Sequence, residues 1–107
     1  MIDLKYKGRI YTASWLWDCG IYDLANDKVD SLDIYLDEVA QVALLVDEGD
    51  ERVYTITSIS DSEYYALDLD DAANCYGNAK HHVLDKIAQR LTRNLGKKGL
   101  LYGIFID

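Results

Sequence analysis

Proline is absent from the 107 residues. That excludes polyproline ligands and Pro-rich linkers. Cysteine is scarce, with only Cys19 and Cys75. One pair is too few for a disulfide scaffold, and a cytosol would keep both as thiols. No apolar run approaches the roughly 20 residues needed to cross a bilayer. The opening MIDLKYKGRI has no apolar h-region, so no signal peptide is expected and the cytoplasm is the expected compartment. The P-loop, the dinucleotide fingerprint and the nucleophile elbow are all missing. Phenylalanine occurs once, against nine tyrosines and two tryptophans.

What is present describes one folded domain spanning 1–107. Half of the residues are hydrophobic and 28% are charged, the balance of a folded chain rather than a disordered one. A chain of this length buries roughly 60–70% of its unfolded surface, enough for a single core.

Charge is unevenly placed. Asp18 to Asp71 holds sixteen of the nineteen acids and only two bases, Lys28 and Arg52, a local charge of −14 against +6 for the rest. An acidic body repels nucleic acid and anionic membrane, so the expected partner is a basic protein.

Period-2 alternation at Ile2, Leu4 and Tyr6 predicts a first strand. Arg9 to Trp17 predicts a second, with Tyr11, Ala13, Trp15 and Trp17 on one face. Asp18-Cys19-Gly20 has the chemistry to end it, and Ile21 to Leu24 could add a short strand. Leu32, Tyr35, Leu36, Val39, Val42, Ala43 and Val46 recur at three- and four-residue steps, which predicts an amphipathic helix over Ser31–Val46, stopped at Gly49. Arg52–Ile59 and Glu63–Leu69 read as a hairpin. Val83, Leu84, Ile87, Ala88, Leu91 and Leu95 mark a last helix from Asn78 to Gly96. Its outer face is basic, with Lys80, Lys86, Arg90 and Arg93, and Lys97 and Lys98 just beyond. Leu100–Ile106 closes the chain as a strand. The expected class is therefore α+β, a two-layer sandwich of a mostly antiparallel sheet of four to six strands with two helices, in the order β-β-α-β-β-α-β.

The motif tests are largely negative. Asp68, Asp70 and Asp71 open like a calcium loop, but the sixth and twelfth positions are Ala73 and Ala79, so the motif fails. Cys75, His81 and His82 match no zinc spacing, and adjacent histidines on a helix diverge by about 100°. No metal, cofactor or catalytic residue is assigned, and the chain is read as a non-enzyme.

The acids are the candidate site. Asp30, Asp33, Asp37 and Glu38 lie off the apolar stripe of the expected helix. Asp33 and Asp37 would stand one turn apart, roughly 6 Å. Asp47 and Glu48 sit at that helix's exit, where the dipole disfavours them. Asp68, Asp70 and Asp71 end the expected hairpin. Tyr35 and Tyr64 join them because an excess of tyrosine over phenylalanine suits half-wet interfaces. A rigid row of carboxylates can occupy a groove built for phosphates.

The expected function is a protein-binding inhibitor of a basic nucleic-acid-handling protein. Its composition is similar to that of anti-CRISPR and antirestriction proteins, some of which mimic nucleic acid, and to that of immunity proteins that neutralise nuclease toxins. Arg9 to Trp17 followed by Asp18-Cys19-Gly20 resembles the opening strand and loop of antirestriction proteins of the ArdA kind, over those residues alone. The rival is a homodimeric assembly module, in which the acidic first helix of one subunit meets the basic last helix of another.

Overall fold

The structure is a computed structural model and describes residues 1–23, 27–47, 49–67, 78–97 and 102–106. Five strands come first: β1 (Ile2–Tyr6), β2 (Arg9–Asp23), β3 (Lys28–Asp37), β4 (Val42–Asp47) and β5 (Arg52–Ser58). Two helices follow, α1 (Asp61–Leu67) and α2 (Asn78–Lys97), and then β6 (Tyr102–Ile106). All pairings are antiparallel, in the order β1-β2-β3-β4-β5 with β6 on β2. The α+β class and the antiparallel sheet stand. The element order does not: it is β-β-β-β-β-α-α-β.

The expected first helix, Ser31–Val46, is a hairpin. Leu32, Ile34 and Leu36 face one core, while Tyr35 faces the other. In β4, Ala43 and Leu45 join the first core, and Leu44 and Val46 the second. Strands buried on both faces carry apolar residues at odd and even positions alike. That near-continuous run also satisfies three- and four-residue spacing, so periodicity alone could not separate the two forms.

The expected hairpin partner Glu63–Leu69 is helical as far as Leu67. Ser60-Asp61-Ser62-Glu63 is a capping box, a helix-start signature. The Glu63 N–H donates to Ser60 Oγ at 3.3 Å, and the Ser60 N–H donates to Glu63 Oε1 at 3.1 Å. Tyr64 and Leu67, three residues apart, turn to the core while Tyr65 is exposed.

Strand β2 does not end at Asp18-Cys19-Gly20. It continues to Asp23 because β3 pairs along one edge and β6 along the other, from Cys19 to Asp23. Neighbours on both sides override the local turn preference. A bulge between Trp15 and Trp17 adds one residue opposite β3. It reverses the alternation, so Trp15 is exposed while Leu16 and Trp17 both turn to the helices.

Two cores result. Leu84, Ile87, Ala88, Leu91 and Leu95 of α2 pack with Leu16, Ile34, Leu36 and Leu45 on one sheet face. Each fully buried leucine or isoleucine contributes about 1.5–3 kcal/mol. On the other face the sheet curls, and β1 lies against β5. Leu4, Tyr11 and Ala13 thereby cover Tyr35, Leu44, Val46 and Val53. The β1–β2 hairpin closes with two residues, Lys7 and Gly8, at φ 49° and 81°. Positive φ at both positions is the type I′ geometry that suits strand twist.

Candidate partner-binding face

The acids chosen from sequence go to several different places. Asp37 is buried, not presented, at 7% exposure. Its Oδ1 accepts the N–H groups of Val39 and Ala40, each at 3.0 Å. It therefore holds the loop 38–41 between β3 and β4, and Gln41 completes that turn at φ 51°. In a strand, Asp33 and Asp37 stand roughly 13 Å apart rather than one helical turn. Asp47 and Asp50 do similar work in the next turn, accepting Gly49 N–H at 3.0 Å and Arg52 N–H at 3.3 Å. They face no helix dipole, because no helix ends there. Short acidic side chains that bond the backbone two residues on are ordinary turn formers.

Glu38 is exposed in the 38–41 loop. Tyr35 is 5% exposed and belongs to the hairpin-side core, and Tyr64 packs against the helix-side core. Asp30 pairs with Ile21 in the β2–β3 register, but its side chain lies outside the described set. Glu48, Asp68, Asp70, Asp71 and Cys75 also lie outside the described residues, as does the side chain of His81. His82 is exposed on α2. Among the described residues no three His, Cys, Asp or Glu side chains gather as a metal site.

The fold assembles a pair that sequence reasoning missed. Asp18 of β2 stands directly opposite Asp33 of β3. The indole Nε1–H of Trp15 donates to Asp33 Oδ1 at 3.0 Å, and Trp15 is 51% exposed. Opposed residues of an antiparallel ladder have Cβ atoms roughly 4.5–5.5 Å apart, and like charges there repel. A hydrogen bond with Asp33 raises the Asp18 carboxyl above its ordinary 3.8. Lost hydration and the Asp33 charge push the same way, and the Trp15 indole opposes them. Only the bulge makes this grouping. Trp15 and Asp18 are three apart, which in an unbroken strand would put them on opposite faces.

The basic helix is also divided. Arg90 points inward and forks onto Glu63, with Nη1 to Oε2 at 2.6 Å and Nη2 to Oε1 at 3.1 Å. It also donates to the Ser58 carbonyl at 3.0 Å and to Thr57 Oγ1 at 3.3 Å. This guanidinium holds the Glu63 carboxyl below its ordinary 4.5. Lys86 and Arg93 remain exposed on the outer face.

A groove of about 380 Å³ opens where β3 leaves β2, between Ile10 and Thr12 on one side and Val39 and Ala40 on the other. Ile10 and Val39 are 64% and 99% exposed. No helix among the described residues is long and apolar enough to cross a membrane. No family model, curated protein or solved structure matches the chain.

Proposed function

We propose that this chain is a non-enzymatic, acidic protein-binding inhibitor of a basic protein that handles nucleic acid, of the phage or plasmid anti-defence type. The observation that carries this reading is the Asp18–Asp33 pair beside the half-exposed ring of Trp15. Most described acids have partners within the chain, as Asp37, Asp47, Asp50 and Glu63 do. Asp33 has the Trp15 indole as a donor, but it faces Asp18 across the ladder, and the two like charges repel at the surface. A guanidinium that forks across both carboxylates would remove the repulsion and gain charged hydrogen bonds. The Trp15 face offers it a cation–π platform. Arginines spaced to grip phosphates meet these needs, so a groove that binds nucleic acid is the expected target surface.

The homodimer reading loses its geometry, since it required an acidic helix where β3 and β4 lie. The immunity-protein setting uses the same chemistry, and the identity of the captured protein separates the two.

The test is capture from a host lysate on immobilised wild type, followed by elution with salt or with duplex DNA. The expected catch is a basic nucleic-acid-binding protein that both eluents release. The double variant Asp18→Asn with Asp33→Asn should lose it by roughly tenfold or more, consistent with one lost charged contact, while melting at the wild-type temperature or above. Equal capture by the double variant would overturn the proposed face.

A further inference from the structure

We propose a second docking surface, independent of the acid pair: the lane beside the first half of β2, which no described strand fills, receives an extended strand from a partner protein, which adds to the sheet at Ile10 and Thr12. The backbone carries the argument. Tyr6 and Arg9 flank the two-residue turn, so in an I′ hairpin they bond each other. Alternation then sends the N–H and C=O groups of Tyr11 and Ala13 to β1, and those of Ile10, Thr12 and Ser14 to the opposite edge. On that edge Ser14 is matched by Leu36 of β3. Beyond Ser14 the β2–β3 register ends, because Asp37 binds the turn amides and directs the chain back into β4. No described strand pairs with Ile10 or Thr12 on that side.

The lane is therefore in line with a ladder that has already begun, and no described strand continues it. Exposed edges of this kind are templates for strand addition. Its walls suit an apolar strand. Ile10 and Val39 are among the most exposed large apolar side chains of the chain, and they flank one groove. About 380 Å³ is room for a few residues, not a helix. Charge fixes a direction. Glu38 lines the groove near the Thr12–Ser14 end, and Arg9, held over the Tyr11 ring, lines the other. A strand antiparallel to β2, as all its present neighbours are, enters beside Glu38 and leaves beside Arg9. The occupant is accordingly an extended segment with a base first, alternating β-branched residues, and an acid last.

The probe is the acetylated, amidated peptide Lys-Val-Thr-Val-Glu, titrated to millimolar concentration into the isotope-labelled full chain. Amide spectra and hydrogen exchange are read at Ile10, Thr12 and Val39. The expected result is a shift at all three, with exchange at Ile10 and Thr12 slowed by roughly tenfold or more. Val39→Asp, a fully exposed position, should weaken binding without changing the fold. The peptide with Lys and Glu exchanged should bind more weakly. Three results would overturn the proposal: no shift at these residues, shifts at Val39 with no slowing at Ile10 and Thr12, or equal binding by a peptide N-methylated at its pairing amides. Protection that rises with protein concentration alone would overturn it too, by assigning the lane to a second copy. None of these outcomes depends on Asp18 or Asp33, so the inhibitor reading and this one fail separately.

Discussion

Glu63 and Asp18 are both carboxyl groups in the acidic half of the chain, and their protons are held in opposite ways. Glu63 opens α1, where the helix N-terminus favours an anion. It also meets the Arg90 fork and the Ser60 amide, and its carboxyl sits below its ordinary value. Asp18 meets a second carboxyl across the ladder and sits above. Local charge density is the same kind of number for both. What separates them is the neighbour the fold supplies, so an acidic stretch is not one property. It divides here into acids that tie the chain together and acids set against each other. The second kind gains most from an outside cation, which lifts a repulsion as well as adding a contact.

That division can be broken from either side. The largest effect is expected from Arg90→Ala. It strands a Glu63 side chain that is only 17% exposed and removes four hydrogen bonds between α2 and the β5–α1 corner. A loss on the order of 2–3 kcal/mol is expected, read as a fall in melting temperature of roughly 10 °C. A change of only a degree or two would mean that Glu63 is satisfied without it. Asp37→Ala comes next, at about 1–2 kcal/mol, since two turn amides lose their acceptor. Asp37→Asn keeps an acceptor oxygen and should recover most of that loss in the same denaturant titration. Asp18→Asn is the smallest and has the opposite sign. Removing one of two facing charges should raise the melting temperature slightly.

The pH dependence sharpens the same contrast. Glu63 has a lowered value in the fold, so its contribution is full above its ordinary 4.5 and fades as pH falls through the lowered value. Asp18 has a raised value, so its penalty is present at neutral pH and lifts as pH falls through that raised value toward 3.8. Melting curves taken from neutral pH downward should therefore show wild type gaining on Asp18→Asn. Over the lower range, wild type should lose ground to Glu63→Gln. A constant gap between wild type and either variant would deny the corresponding carboxyl its altered environment.

The last helix could be read from the sequence because α2 buries one stripe only. Leu84, Ile87, Ala88, Leu91 and Leu95 are all buried, as their spacing predicts. Strands β1 and β5 were legible from alternation and β composition. The β3–β4 hairpin was not, because a strand between two cores loses the alternation that would mark it. The start of α1 was written plainly in Ser60 and Glu63, a signature overlooked beside the β-rich composition of β5. The Asp18–Asp33 pair had no local signal. It depends on a bulge and on a cross-strand register, and both are set by tertiary packing.

Strand β2 also sets the order in which the molecule can be completed. Its first half pairs with residues only a few positions earlier, and its middle with β3 nearby in sequence. Its far edge waits for β6, which lies roughly eighty residues downstream. During synthesis, the edge of Cys19 to Asp23 therefore stays unpaired on that side until β6 has emerged. Contacts of such sequence separation slow folding toward the millisecond-to-second range. For that interval the growing chain presents a sticky edge next to Trp17, and the strong negative charge of the surrounding stretch keeps one nascent chain away from the next.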